Sequence, residues 1–184
     1  MAVINRFLCW NLRTAVLVGY GYVIITAVFS LVMRLIDLIA TGTSFEIQQG
    51  FHTPWRSHFW QAFLASDVVL TFDYVVIILF TAFMFLQVRE RHFVMYMSAH
   101  RWYIIFFFIY QFVDIAFSIF EFAYYGKNTF RLKYIVWTWL FWMFRTLVDG
   151  LFFVILIARK QEMGEQMDME LRFAGERKRP GFGY

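Results

Sequence analysis

Four ionisable side chains stand deep inside long apolar stretches, where a charge needs a partner: Asp73, Asp114, Arg145 and Asp149. A charged side chain at the centre of a bilayer costs about 2.5–3.5 kcal/mol on insertion scales, so it normally faces other helices. Counting helix rise from the ends of the apolar stretches places Asp73, Asp114 and Arg145 about 15 Å deep, near the midplane. Asp149 follows Arg145 by four residues and shares its helix face. We therefore predict an intramembrane charge cluster of these four residues.

A second charged layer is predicted nearer the outer side, from Arg34, Asp37, Asp67 and Glu121. Two interpretations of the layers are open. In the structural one, polar contacts fix the register and the neighbours of the helices. In the functional one, the carboxylates form a proton or cation path, because acids outnumber the one arginine near the midplane. Charge reversal at Arg145 distinguishes the two interpretations. Loss of folding would favour the structural one, whereas normal delivery to the membrane with loss of ion flux would favour transport.

Other chemistry is poorly represented in the sequence. It contains no Gly-rich phosphate loop, no Ser/His/Asp set and no Cys nucleophile arrangement, so we expect no catalytic residues and a non-enzymatic protein. The histidines His52, His58, His92 and His100 do not have the spacing of a zinc site, and we expect neither a metal nor another cofactor.

Two positions near the chain ends could support membrane or protein attachment. Cys9 is the only cysteine and lies just before the first apolar stretch, where reversible palmitoylation occurs; an unmodified thiol is the alternative. The sequence ends at Tyr184, with Phe182 two residues before it, a pattern that could add as a strand to the groove of a PDZ protein.

Long apolar helices must position these residues. The chain is 61% hydrophobic and only 16% charged, too apolar for a soluble domain of 184 residues. Each apolar stretch has 23–25 residues, and at about 1.5 Å per residue it spans about 35 Å, enough to cross a bilayer core of roughly 30 Å. We predict an all-α integral membrane four-helix bundle, a single domain over residues 1–184. Its helices are expected at about 14–38, 63–86, 102–124 and 134–158, with a tail at 159–184 that continues the last helix for a few turns.

The distribution of Lys and Arg predicts the orientation. With the N-terminus inside, eleven of them fall on the cytoplasmic segments and four on the outer connections, so both termini are expected in the cytoplasm. The basic residues follow loops and tails, which indicates topology signals and no nucleic-acid partner.

The start of the first helix carries a family-like motif. The run Cys9-Trp10-Asn11-Leu12-Arg13-Thr14 is followed by Leu17, Gly19, Tyr22 and Ala27-Val28. It resembles the Leu-Arg-Thr-Gly start of small insect tetraspan proteins, the pasiflora group, and is more distantly similar to the start of lysosome-associated four-span transmembrane proteins. Ala15 stands where that start usually has a glycine, and Cys9 stands alone where a cysteine cluster is common.

The pasiflora resemblance implies a structural and assembly component of septate junctions, which form the paracellular barrier of insect epithelia and glia. Such a protein would lie in the lateral plasma membrane and contact other junction proteins through its helix faces. Two alternatives stay open. One is an endolysosomal or vesicular membrane protein that supports transport of small solutes or ions, and the other is an accessory channel subunit.

Overall fold

The structure is a computed structural model that describes residues 11–42, 56–89, 93–125 and 133–177. Within these ranges the chain forms four α-helices: α1 (Leu12–Gly42), α2 (Arg56–Arg89), α3 (Phe93–Tyr125) and α4 (Lys133–Arg177). Each helix contains a segment long and apolar enough to cross a membrane: Leu12–Ile36, Leu64–Val88, Met95–Ala123 and Val136–Leu171. The predicted all-α membrane bundle is confirmed, whereas the cytoplasmic placement of both termini stays a prediction.

The helices pack in a closed ring in chain order, with α1 against both α2 and α4, and α3 against both α2 and α4. Contacts between α1 and α2 show that they are antiparallel, because Arg34 near the end of α1 pairs with Asp67 near the start of α2. At the opposite end, Arg13 in the first turn of α1 contacts Val88 in the last turn of α2. The chain therefore runs up and down through the ring.

The interior is packed by aromatic side chains, and the outer surface is apolar as well. Tyr103 and Phe107 on α3 are fully buried, and the ring of Phe107 meets that of Phe152 edge-on with centroids 5.5 Å apart. Outward-facing side chains include Phe72, which is 71% exposed, and Ile25, which is 70% exposed. Exposed apolar side chains on every helix are expected where lipid is the solvent, since lipid carries no hydrophobic penalty for them.

The helices are longer than the apolar stretches that predicted them. Helix α3 begins at Phe93 instead of about 102, so most of the connection expected at 87–101 is helical. Helix α4 continues to Arg177, in line with the expected extension of the last helix into the tail beyond 158. Hydropathy indicates where the lipid-embedded part of a chain ends. The helix itself can continue into water, because it ends only where its backbone hydrogen bonds end. The Lys, Gln, Glu and Met residues after 158 have high helix propensity and do not interrupt α4.

Candidate functional site

Arg145 is the centre of the polar interior. It lies on α4 and is only 2% exposed. Its Nη1 donates to Ser30 Oγ on α1 at 2.5 Å and lies 3.4 Å from Tyr74 Oη on α2. Its Nη2 donates to Tyr110 Oη on α3 at 2.6 Å. One guanidinium therefore contacts all three other helices, which its planar fork of five N–H donors makes possible.

Asp114 on α3 provides the principal counter-charge. Its Oδ2 lies 3.1 Å from Arg145 Nη2 and accepts the indole N–H of Trp142 at 2.9 Å. Its Oδ1 accepts the hydroxyl of Tyr74 at 2.5 Å. The carboxylate is fully buried, and both of its oxygens are hydrogen-bonded, as a buried charge requires.

Asp149 adds a second carboxylate on the same face of α4. Its Oδ2 lies 3.5 Å from Arg145 Nε and accepts the amide of Gln111 on α3 at 2.8 Å. Its Oδ1 is buried and has no hydrogen-bond partner among the side chains that the structure describes. Two carboxylates, those of Asp114 and Asp149, thus pair with the single guanidinium of Arg145. One oxygen of Asp149 is left without a hydrogen-bond partner in the described part of the chain.

Asp73, the fourth predicted member, makes none of the ion pairs or hydrogen bonds that join Asp114, Arg145 and Asp149. Asp73 is partly exposed, forms no ion pair within the described ranges, and has a buried Oδ2 without a hydrogen-bond partner. The next residue, Tyr74, occupies the position on α2 that faces Arg145 and Asp114. Depth counting put Asp73 at the correct level but carries no information on rotation about the helix axis, and successive residues differ by about 100°.

The outer layer joins three helices. Nη1 of Arg34 on α1 lies 2.9 Å from Asp67 Oδ1 on α2 and 2.7 Å from Glu121 Oε1 on α3. The same Glu121 oxygen accepts the hydroxyl of Ser66 at 2.7 Å. The side chain of the fourth predicted member, Asp37, lies outside the described residues.

A third polar layer was not predicted. His100 was assigned to a connection, yet it lies fully buried in α3. Its Nε2 lies 3.0 Å from the carbonyl oxygen of Leu156, and its Nδ1 lies 3.1 Å from Tyr20 Oη. Because a carbonyl only accepts, Nε2 donates, and in that tautomer Nδ1 accepts from the tyrosine. His100 therefore links α3 to both α1 and α4.

A sequence signal for this layer exists in the spacing along α3. Eight buried residues recur at intervals of three or four: Tyr96, His100, Tyr103, Phe107, Tyr110, Asp114, Ser118 and Glu121. This spacing defines one helix face. Extending the face backwards from Asp114 reaches His100, so the pattern could have placed the histidine inside the bundle.

The family-like motif also has a structural role that was not predicted. Leu12 is buried, and Arg13 Nη2 donates to the carbonyl oxygen of Val88 at 3.2 Å. Val88 lies in the last turn of α2, whose carbonyls lack partners within the helix. A cation there also complements the negative end of the helix dipole. Arg13 thus joins the start of α1 to the end of α2.

Comparison with protein families, characterised proteins and solved structures found no match to this chain. The pasiflora resemblance therefore stays a prediction. Two attachment positions, Cys9 and Tyr184, lie outside the described residues, as do His52 and His92. Among the side chains that the structure describes, no group of three His, Cys, Asp or Glu residues could hold a metal ion.

Proposed function

We propose that this chain is a non-enzymatic tetraspan scaffold that acts by lateral association in the membrane, as a component of septate junctions and the paracellular barrier. The observation that carries the scaffold part is the contact of one guanidinium, that of Arg145, with all three other helices. A single residue that holds four helices together is suited to a rigid bundle whose outer faces meet partners.

The outer charge layer supports the same interpretation. Arg34 joins α1, α2 and α3 at a depth different from that of Arg145. Two charged layers at different depths specify both the neighbours and the register of the helices, because sliding one helix by a turn would separate every pair. In lipid, where no hydrophobic force sorts helices, polar contacts of this kind supply the specificity.

The junction part rests on the resemblance at the N-terminus. Within that motif, Leu12 is buried and Arg13 joins the start of the first helix to the end of the second. The lateral plasma membrane is the location that the resemblance implies. The protein would contact other junction proteins by its exposed helix faces, and a PDZ protein at Tyr184 would link it to the cytoplasm.

Localisation and depletion test this proposal. The endogenous protein, tagged at one terminus, is expected to stain the lateral membrane of epithelial cells together with junction markers. After depletion, a fluorescent tracer is expected to cross the epithelium, and re-expression of the full chain should restore the barrier. Punctate endosomal staining with an intact barrier would contradict the junction role.

A second candidate is a proton or cation path in an endolysosomal or vesicular membrane, or in an accessory channel subunit. The observation that favours it is the surplus of carboxylates: Asp73 and Asp149 each have a buried oxygen without a hydrogen-bond partner in the described part of the chain. Against a continuous path, the buried rings of Phe107 and Phe152 pack between the level of Asp149 and that of His100.

Reconstituted vesicles distinguish the two candidates. A path through the carboxylates predicts pH-driven proton flux by the purified chain, which Asp149→Asn abolishes without loss of folding. A scaffold role predicts that vesicles containing the protein are no more permeable to protons than vesicles without it.

A further inference from the structure

Asp73 lies at the edge of α2 that borders α3, and its side chain is partly exposed although Oδ2 is buried. It follows Ser66 by seven residues and precedes Phe80 by seven, which is nearly two helical turns in each direction. Ser66 donates to Glu121 on α3, and the ring of Phe80 packs on Tyr103 of α3 with centroids 5.3 Å apart. The preceding residue, Phe72, points outward. Asp73 is therefore placed at the lipid-facing mouth of the groove between α2 and α3.

No cation of the described chain neutralises Asp73. Arg145 forms its ion pairs with Asp114 and Asp149. The other arginine at depth, Arg34, pairs with Asp67 and Glu121. A carboxyl at the tenth residue of the apolar segment Leu64–Val88 thus remains without a partner, at a depth where ionisable groups normally have one.

We propose that Asp73 is the docking point for a transmembrane helix of a partner protein that carries a lysine or arginine near its middle. The proposal rests on the proposed lateral association and specifies the chemistry of the partner. A basic side chain entering the α2–α3 groove at mid-depth would meet an unpaired carboxylate and would itself be neutralised. Asp73 and the basic residue of the partner helix would then neutralise each other, so neither charge would require solvation by water inside the membrane.

Charge complementarity favours such a partner over a second copy of this chain. A second copy would bring another Asp73 and the same outer faces, while Arg34 and Arg145 of that copy would be held in their own ion pairs. Two copies meeting at this groove would place like charges together. The occupant must therefore supply the positive charge.

A designed peptide tests the proposal independently of any junction. The full chain, labelled with a fluorescence donor, is reconstituted with an acceptor-labelled polyleucine helix of about 22 residues that carries one central lysine. Energy transfer is expected to report an association constant roughly five- to thirtyfold higher than for the same helix without lysine. Asp73→Asn and Asp73→Leu should both lower it to the level of the lysine-free helix.

Controls separate docking from loss of the fold. Asp168→Asn provides the control, because Asp168 is exposed on α4 and lies ten residues, about 15 Å, beyond residue 158, where the predicted apolar stretch ends. It should leave the transfer unchanged, and near-ultraviolet circular dichroism should be the same for all variants. Equal transfer with and without the central lysine would overturn the proposal. So would equal binding of a central glutamine, since that result would indicate hydrogen bonding by a protonated carboxyl. If the lysine-bearing helix binds as expected but depletion leaves the epithelial barrier intact, the junction role is refuted and the docking proposal stands.

Discussion

Arg145 and Asp114 form an ion pair of 3.1 Å between α4 and α3, with side chains that are 2% and 0% exposed. Replacing Arg145 by Met removes the cation but leaves the carboxylates of Asp114 and Asp149 buried and unpaired. Breaking a buried pair from one side typically costs about 3–5 kcal/mol. We expect a loss of this size in the free energy of unfolding, measured by detergent titration and tryptophan fluorescence.

The double variant Arg145→Met/Asp114→Asn provides the matched control. It removes both charges of the pair and leaves only Asp149 unpaired, so it should be more stable than Arg145→Met alone, although less stable than the unchanged chain. Replacing both members of a buried pair is often nearly neutral, whereas removing one is not. If the double variant were as unstable as the single one, the ion pair would not be the source of the loss.

Gly19 has no room for a side chain. A Cβ built on it would lie 2.0 Å from Cε2 and 2.2 Å from Cδ2 of Phe152, whereas a Cβ on Gly21 would meet nothing within 4 Å. The ring of Phe152 cannot retreat easily, because Tyr20 and Phe107 pack edge-on against it. Gly19→Ala should lower the free energy of unfolding by about 1–3 kcal/mol.

Gly21→Ala should be neutral or stabilising by about 0.5–1 kcal/mol, since alanine favours helix over glycine. The two variants make the same chemical change two residues apart, so helix propensity cannot explain a difference between them. Gly19→Ala/Phe152→Leu should recover part of the loss by opening space for the methyl group. Equal stability of Gly19→Ala and Gly21→Ala would contradict the close packing of α1 on α4.

His100 and Tyr20 should be energetically coupled. In a double-mutant cycle with His100→Phe and Tyr20→Phe, we expect a coupling free energy of about 0.5–1.5 kcal/mol, the usual net value of a hydrogen bond. The free energy of unfolding of the four proteins gives the coupling directly.

Thr146 supplies the control for that cycle. It bonds the carbonyl of Trp142 in its own helix and lies ten residues from Leu156, the residue whose carbonyl His100 contacts. That separation is about 15 Å along α4. His100→Phe and Thr146→Val should therefore be additive within about 0.5 kcal/mol. Coupling of similar size in both cycles would indicate a general loss of packing instead of a specific hydrogen bond.

The relative levels of the charged residues along the bundle could be predicted from sequence, whereas rotation about the helix axes could not. Counting residues from the ends of the apolar stretches placed Arg145 level with Asp114, and the spacing of four residues placed Asp149 beside it. The same count included Asp73, which the rotation of α2 turns towards the lipid-facing edge. Rotation depends on packing against two neighbouring helices, and hydropathy contains no information on packing.

Helix ends were the other part that hydropathy could not supply. His100 was assigned to a connection because charged residues such as Arg101 end the apolar stretch, yet α3 begins at Phe93. The spacing of buried residues along α3 carries the information that hydropathy lacks, since it continues through His100 to Tyr96. The periodicity of buried residues therefore indicates which face of a helix is buried, whereas hydropathy indicates where the lipid-embedded segment begins.

The orientation of the chain is open to a direct chemical test, because Cys9 is its only cysteine. Cys9→Ser provides a cysteine-free chain, into which Gln49→Cys or Glu90→Cys is introduced. The positive-inside rule predicts that residue 49 faces outwards and residue 90 faces the cytoplasm. An impermeant maleimide should label Gln49→Cys in intact cells, but Glu90→Cys only after permeabilisation. Labelling of Glu90→Cys from outside would reverse the orientation. The outer charge layer would then lie on the cytoplasmic side, while the contacts of Arg145 within the bundle would be unchanged.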